Sequence, residues 1–108
     1  MEEILTGTTE IKPKRVIQFG KPYTFELETY KEIDLSKLDD LTTDDLMNAE
    51  RIYTRSGGTS INPETSLLYS VILAHMASDK PIEFFGKLPA KEALKIKKEV
   101  YNFFYRGA

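Results

Sequence analysis

The chain has 108 residues, 41% apolar and 30% charged, with a formal net charge of −2, one histidine and no cysteine. This length suits one domain with a modest two-layer core and little room for a deep cleft. The composition excludes a disulfide framework, a thiolate nucleophile and a cysteine metal site, and gives no bulk attraction to nucleic acid or an anionic membrane.

Residues 1–20 read as a mobile lead-in, ending beyond Lys12-Pro13-Lys14-Arg15, with Val16 to Phe19 as a short strand of its own. Residues 21–108 form the single domain. Tyr23, Phe25 and Leu27 alternate with polar neighbours, as do Ile33 and Leu35 against Glu32 and Asp34, which predicts two half-buried strands. The gap between them is short enough for a hairpin but lacks the Asn-Gly or Gly-X pair usual in a tight turn.

Helical signals follow. Thr42 is placed to cap a helix, with Asp44 and Asp45 at its positive end, Leu46, Ala49 and Tyr53 on one face and Gly57-Gly58 closing it. Asn62-Pro63-Glu64 is a second start signal, opening an apolar stripe of Leu67, Leu68, Val71, Ile72, His75 and Met76. Pro81–Gly86 is a connector of one turn at most. A last helix starts near Pro89. At about 100° per residue it gathers Ala93, Ile96, Val100, Phe103 and Phe104 on one side, with Lys91, Lys95 and Lys98 opposite. The expected fold is α+β and mostly helical, a short N-terminal β-hairpin followed by three helices.

Few residues offer chemistry. His75 lies amid apolar neighbours in mid-helix, the setting of a packed or surface histidine. Asp39-Asp40 and Asp44-Asp45 lack the spacing of a calcium loop, and the second pair fits a first helical turn. Ser56-Gly57-Gly58-Thr59-Ser60 lacks the Lys-Ser/Thr of a phosphate loop. No catalytic, metal or cofactor site is therefore expected. The aromatics of the last third are a better lead, because a domain this small cannot hide them all and tyrosine suits interfaces. Phe84, Phe85, Lys91, Lys95, Tyr101, Phe104 and Tyr105 are the candidate partner-binding residues. An acidic block from Glu26 to Glu50 and a basic end from Lys87 to Arg106 are set to attract each other within the fold, or to face a partner or a second copy.

In order and spacing, the motifs Lys21-Pro22-Tyr23-Thr24-Phe25, Tyr30-Lys31-Glu32-Ile33-Asp34-Leu35, Leu41-Thr42-Thr43-Asp44-Asp45-Leu46, Ala49-Glu50, Pro63-Glu64, Pro81-Ile82-Glu83-Phe84, Leu88-Pro89-Ala90-Lys91-Glu92 and Val100-Tyr101-Asn102-Phe103 resemble the small tail assembly chaperones of long-tailed bacteriophages and prophages. Leu27-Glu28 departs from the glycine-containing turn frequent there. The resemblance implies a non-catalytic protein of the host cytoplasm that binds the tape measure protein, keeps it soluble, helps recruit the major tail protein and is left out of the mature virion. It also implies a frameshift-extended longer form, with Tyr105–Ala108 fitting the end of the shorter one. Self-association is compatible with the charge poles; no membrane or nucleic-acid partner is expected. The alternatives are a head-tail connector or completion protein retained in the virion, and a small nucleic-acid-binding regulator using Lys91, Lys95 and Lys98.

Overall fold

The computed structural model describes residues 15–106. Along the chain run β1 (Val16–Phe25), β2 (Glu28–Asp34), a 3-10 turn (Ser36–Asp40), α1 (Thr43–Arg55), a second 3-10 turn (Pro63–Thr65), α2 (Leu67–Ser78), α3 (Ile82–Gly86) and α4 (Ala90–Tyr105). This is the expected α+β architecture, an antiparallel hairpin followed by helices, with the Pro81–Gly86 connector winding into the one short helix α3.

The first strand is longer than its sequence pattern suggests. Val16, Ile17 and Gln18 pair with Asp34, Ile33 and Glu32, and pairing resumes with Tyr23, Thr24 and Phe25 opposite Tyr30, Thr29 and Glu28. Phe19, Gly20, Lys21 and Pro22 therefore bulge out against Lys31 alone, which accommodates a proline that has no N–H for the ladder. The expected lead-in is thus corrected in its last part. Residues 16–20 belong to β1 and Arg15 is buried, while residues 1–14 lie outside the described residues. Leu27 is corrected too: it is a fully exposed turn residue and not part of the buried strand face. Glu26 and Leu27 sit at φ 48° and 71°, the positive values that a two-residue turn with the right twist demands and that glycine or asparagine supplies more cheaply.

The central element is α2, which packs against α1, α3, α4 and the first 3-10 turn. It is apolar all round, so periodicity is a poor guide to its inner face. The buried residues are Tyr69, Ser70, Ile72, Leu73, Ala74 and Ala77, whereas Leu67 and Leu68 of the expected stripe are exposed. The small side chains among them let neighbouring helices approach. Asn62-Pro63 starts a 3-10 turn, and the Ser66 side chain caps α2 four residues later than the sequence signal suggests. By contrast α1 begins as expected. Thr42 Oγ1 accepts from the Asp45 N–H while the Asp45 carboxylate accepts from the Thr42 N–H, a reciprocal cap.

Phe84 joins the layers. Its ring meets those of Tyr23, Phe25 and Tyr30 at 5.1, 5.4 and 5.1 Å, and its carbonyl accepts from the Tyr23 hydroxyl at 2.6 Å. The two strands of the hairpin are thereby locked edge-to-face around one buried ring 61 residues beyond Tyr23.

Candidate partner-binding surface

One face of α4 is fixed by what it covers. Ala93, Ile96 and Val100 are buried, with Phe103 and Phe104 packed against the core and Phe104 stacked on Tyr69. The flank of α4 also closes the free edge of β1. Lys95 Nζ donates to the Gln18 carbonyl at 2.9 Å, and the Gly20 N–H donates to Glu92 Oε2 at 2.7 Å. An edge strand whose backbone groups are taken by side chains is blunted against foreign strands. Glu92 is buried, and its Oε1 lies 2.9 Å from Lys95 Nζ without hydrogen-bond alignment. Lys95 first, then the Gly20 N–H, hold its carboxyl below the ordinary carboxylate range against the opposing pull of burial.

Beside this pair a buried arginine holds two partly exposed carboxylates, a cluster with no local sequence signal. Arg15 Nε and Nη2 both donate to the Asp39 carboxylate at 3.0 Å, and Nη1 donates to Glu99 Oε2 at 2.6 Å. The guanidinium also lies 5.5 Å from the centre of the Phe103 ring. Its forked donors tie the start of β1 to the first 3-10 turn and to α4, and chiefly the hydrogen bonds it donates to Asp39 raise its already high pKa. These partners lie 24 and 84 residues away in sequence, beyond any local pattern.

What remains outward on α4 is a stripe of Leu94, Tyr101 and Tyr105, each with about half its surface in solvent, alongside the exposed Lys91 and Lys98. Tyr105 is anchored by its hydroxyl, which donates to Glu64 Oε2 at 2.6 Å; this bond lowers the carboxyl pKa and raises the phenol pKa. Tyr101 and Tyr105 rest ring to ring at 4.6 Å. Leu67 and Leu68, also exposed, follow soon after Glu64 on the neighbouring helix.

The structure divides the seven expected partner-binding residues. Tyr101 and Tyr105 share this surface, and Lys91 is exposed at its border. Lys95 faces the β1 edge and is already engaged. Phe104 is partly buried against Tyr69. Phe84 and Phe85 are corrected: both are core, Phe84 enclosed by Tyr23, Phe25 and Tyr30 of the hairpin and Phe85 buried with its ring 5.2 Å from that of Phe84. Leu94 is the stripe residue that helical periodicity failed to single out; its signal was an apolar side chain set between Lys91 and Lys98 on the polar side.

His75 is half-buried and its Nδ1 lies 2.5 Å from the Lys80 carbonyl, so that nitrogen carries the proton and secures the α2–α3 link. Among the described residues no cluster of three or more His, Asp or Glu is placed to hold a metal, and no helix is long and apolar enough to cross a membrane. The acidic and basic blocks do not neutralise each other. The ion pairs within the described residues are Arg15–Asp39, Arg15–Glu99, Lys37–Asp79 and Lys95–Glu92, so Lys91 and Lys98 are exposed and outside those pairs, with Lys91 acting on Glu92 only through its charge.

Compared with known protein families, curated proteins and solved structures, the chain matches none.

Proposed function

We propose that this protein is a tail assembly chaperone of a long-tailed phage or prophage, a non-catalytic protein that holds the tape measure protein through the outer face of α4. The observation that carries the reading is the Leu94, Tyr101 and Tyr105 stripe. It is aromatic and apolar, fixed at its far end by the Glu64 bond, and mounted on a helix whose opposite face is locked into the core. A helix-sized apolar strip is the kind of surface that receives an amphipathic partner helix, and half-exposed tyrosines bind with moderate affinity because one end of each ring tolerates water. Moderate affinity is what the task requires, since the client must later be surrendered to the tube.

The motif resemblance supports the same reading. Tyr23, Phe25, Tyr30 and Phe84, from three of the resembling segments, meet in one ring cluster, so those segments act together as fold determinants. On this reading recruitment of the major tail protein belongs to a longer form of the chain. Mass spectrometry of purified particles tests the proposal. A chaperone is present in the infected cell and missing from the particles; a stoichiometric amount in the particles makes the protein a head-tail connector or completion protein instead.

A further inference from the structure

The hairpin tip breaks a local rule, and although Glu28 accepts from the Tyr30 hydroxyl at 2.7 Å, the Leu27 side chain gains no burial in return. Glu26 and Leu27 are both held at positive φ, which disfavours any residue with a Cβ, and the Leu27 side chain is 100% exposed. Strain kept alongside a solvent-facing aliphatic side chain points to a contact made outside the chain.

Two further observations say what that contact is. The first is charge. The tip carries Glu26 and Glu28 beside Leu27 and no cation between Phe25 and Tyr30. The outer face of α4 is its complement, with Leu94 and Tyr101 separated by Lys98 and preceded by Lys91; neither lysine is in an ion pair among the described residues, although the charge of Lys91 is felt by Glu92 beside it. The second is direction. Arg15, Gln18 and Gly20 of β1 lie against Glu99, Lys95 and Glu92 of α4, in reverse order. β1 therefore runs antiparallel to α4, the tip projects past the α4 N-terminus, and a molecule cannot fold its own tip back onto its Leu94–Tyr101 face.

We propose that the hairpin tip of one copy docks on the α4 face of a second copy, with Leu27 seated between Leu94 and Tyr101 and Glu26 and Glu28 against Lys91 and Lys98. Tip and socket are different surfaces, so the contact is head-to-tail and a bound pair still offers one free tip and one free socket. The buried area is small, which makes the association weak and reversible, and its charge component makes it salt-sensitive. The inference does not depend on the chaperone reading: it concerns the protein alone, and its failure leaves client binding untouched.

Sedimentation velocity on the purified protein, from about 10 μM to about 1 mM, reads it directly, a range set by the weak binding expected of so small an interface. The expected result is a weight-average mass that climbs above 12.4 kDa with concentration and falls back in about 0.5 M salt. Leu27→Gly relieves the turn and removes the side chain, so it should melt higher than the parent yet associate about tenfold or more less tightly. Glu26→Lys/Glu28→Lys and Lys91→Glu/Lys98→Glu should each be monomeric alone and associate when mixed, since each tip then meets an opposite charge. A parent that stays at monomer mass throughout the range overturns the proposal. So does association that survives in Leu27→Gly, or charge-reversed variants that stay monomeric when mixed.

Discussion

Replacing Arg15 with methionine tests whether the buried charge cluster holds the hairpin to the helices. The arginine side chain is 2% exposed, whereas Asp39 and Glu99 keep 35% and 21% of theirs. Removing the cation leaves two carboxylates facing one another with partial access to water. Breaking a buried pair typically costs about 3–5 kcal/mol, and that partial hydration places this case near the lower end. Loss of the Phe103 contact adds about 0.5–1 kcal/mol. The sum, about 3–4 kcal/mol, corresponds to a fall in melting temperature of roughly 15–25 °C for a domain of this size. Arg15→Lys keeps the charge but not the fork, and should lie between the two. Adding Asp39→Asn to Arg15→Met should recover about 1 kcal/mol, because much of the cost is the carboxylate left behind. Urea unfolding with a shared slope measures all four proteins. A loss below about 1 kcal/mol for Arg15→Met would refute the reasoning, since that is what an exposed pair contributes.

Other perturbations follow from single contacts. Glu26→Asn with Leu27→Gly should stabilise the fold by about 1–2 kcal/mol by giving the turn residues suited to positive φ, read as a higher melting temperature. Gly58→Ala should destabilise by about 1–3 kcal/mol, because the new Cβ would stand 2.3 Å from the Tyr53 ring, which the Ser60 N–H bonds through the hydroxyl at 2.9 Å. Glu92 has a folded pKa below its ordinary value of 4.5, so its contribution is present above that value and lost as pH falls through the folded one. Glu92→Gln should therefore lower stability at neutral pH and flatten the decline below about pH 4.5 in chemical denaturation run across pH.

The sequence was most legible where an element has one wet and one dry side. Ile33 in β2 and Leu35 just past its end are buried as alternation predicts, the Thr42 cap and Asp45 announce α1, and Ala93, Ile96 and Val100 mark the buried side of α4. It was least legible in α2, where a helix at the centre of the core has neighbours on several sides and no contrast to display. The β1 bulge hid because Lys21-Pro22 reads as a strand start when it interrupts one. That both Phe84 and Phe85 are core was not legible, because nothing local reveals that a hairpin some 60 residues earlier folds over Phe84. The tyrosines of the outer stripe are legible from composition, since so small a core cannot hide every aromatic of the last third and a tyrosine tolerates water at one end. Leu94 was overlooked because a single leucine among lysines looks like ordinary surface.

The chaperone account turns on whether the α4 stripe keeps a long helical client in solution. Co-expression with a candidate tape measure protein, comparing the parent with Tyr101→Ala/Tyr105→Ala and with Lys91→Ala/Lys95→Ala, measures this most directly. The account predicts a soluble complex with the parent, clear loss of co-purification in the tyrosine pair at an unchanged melting temperature, and a smaller loss in the lysine pair. A client that aggregates equally with all three proteins would contradict it.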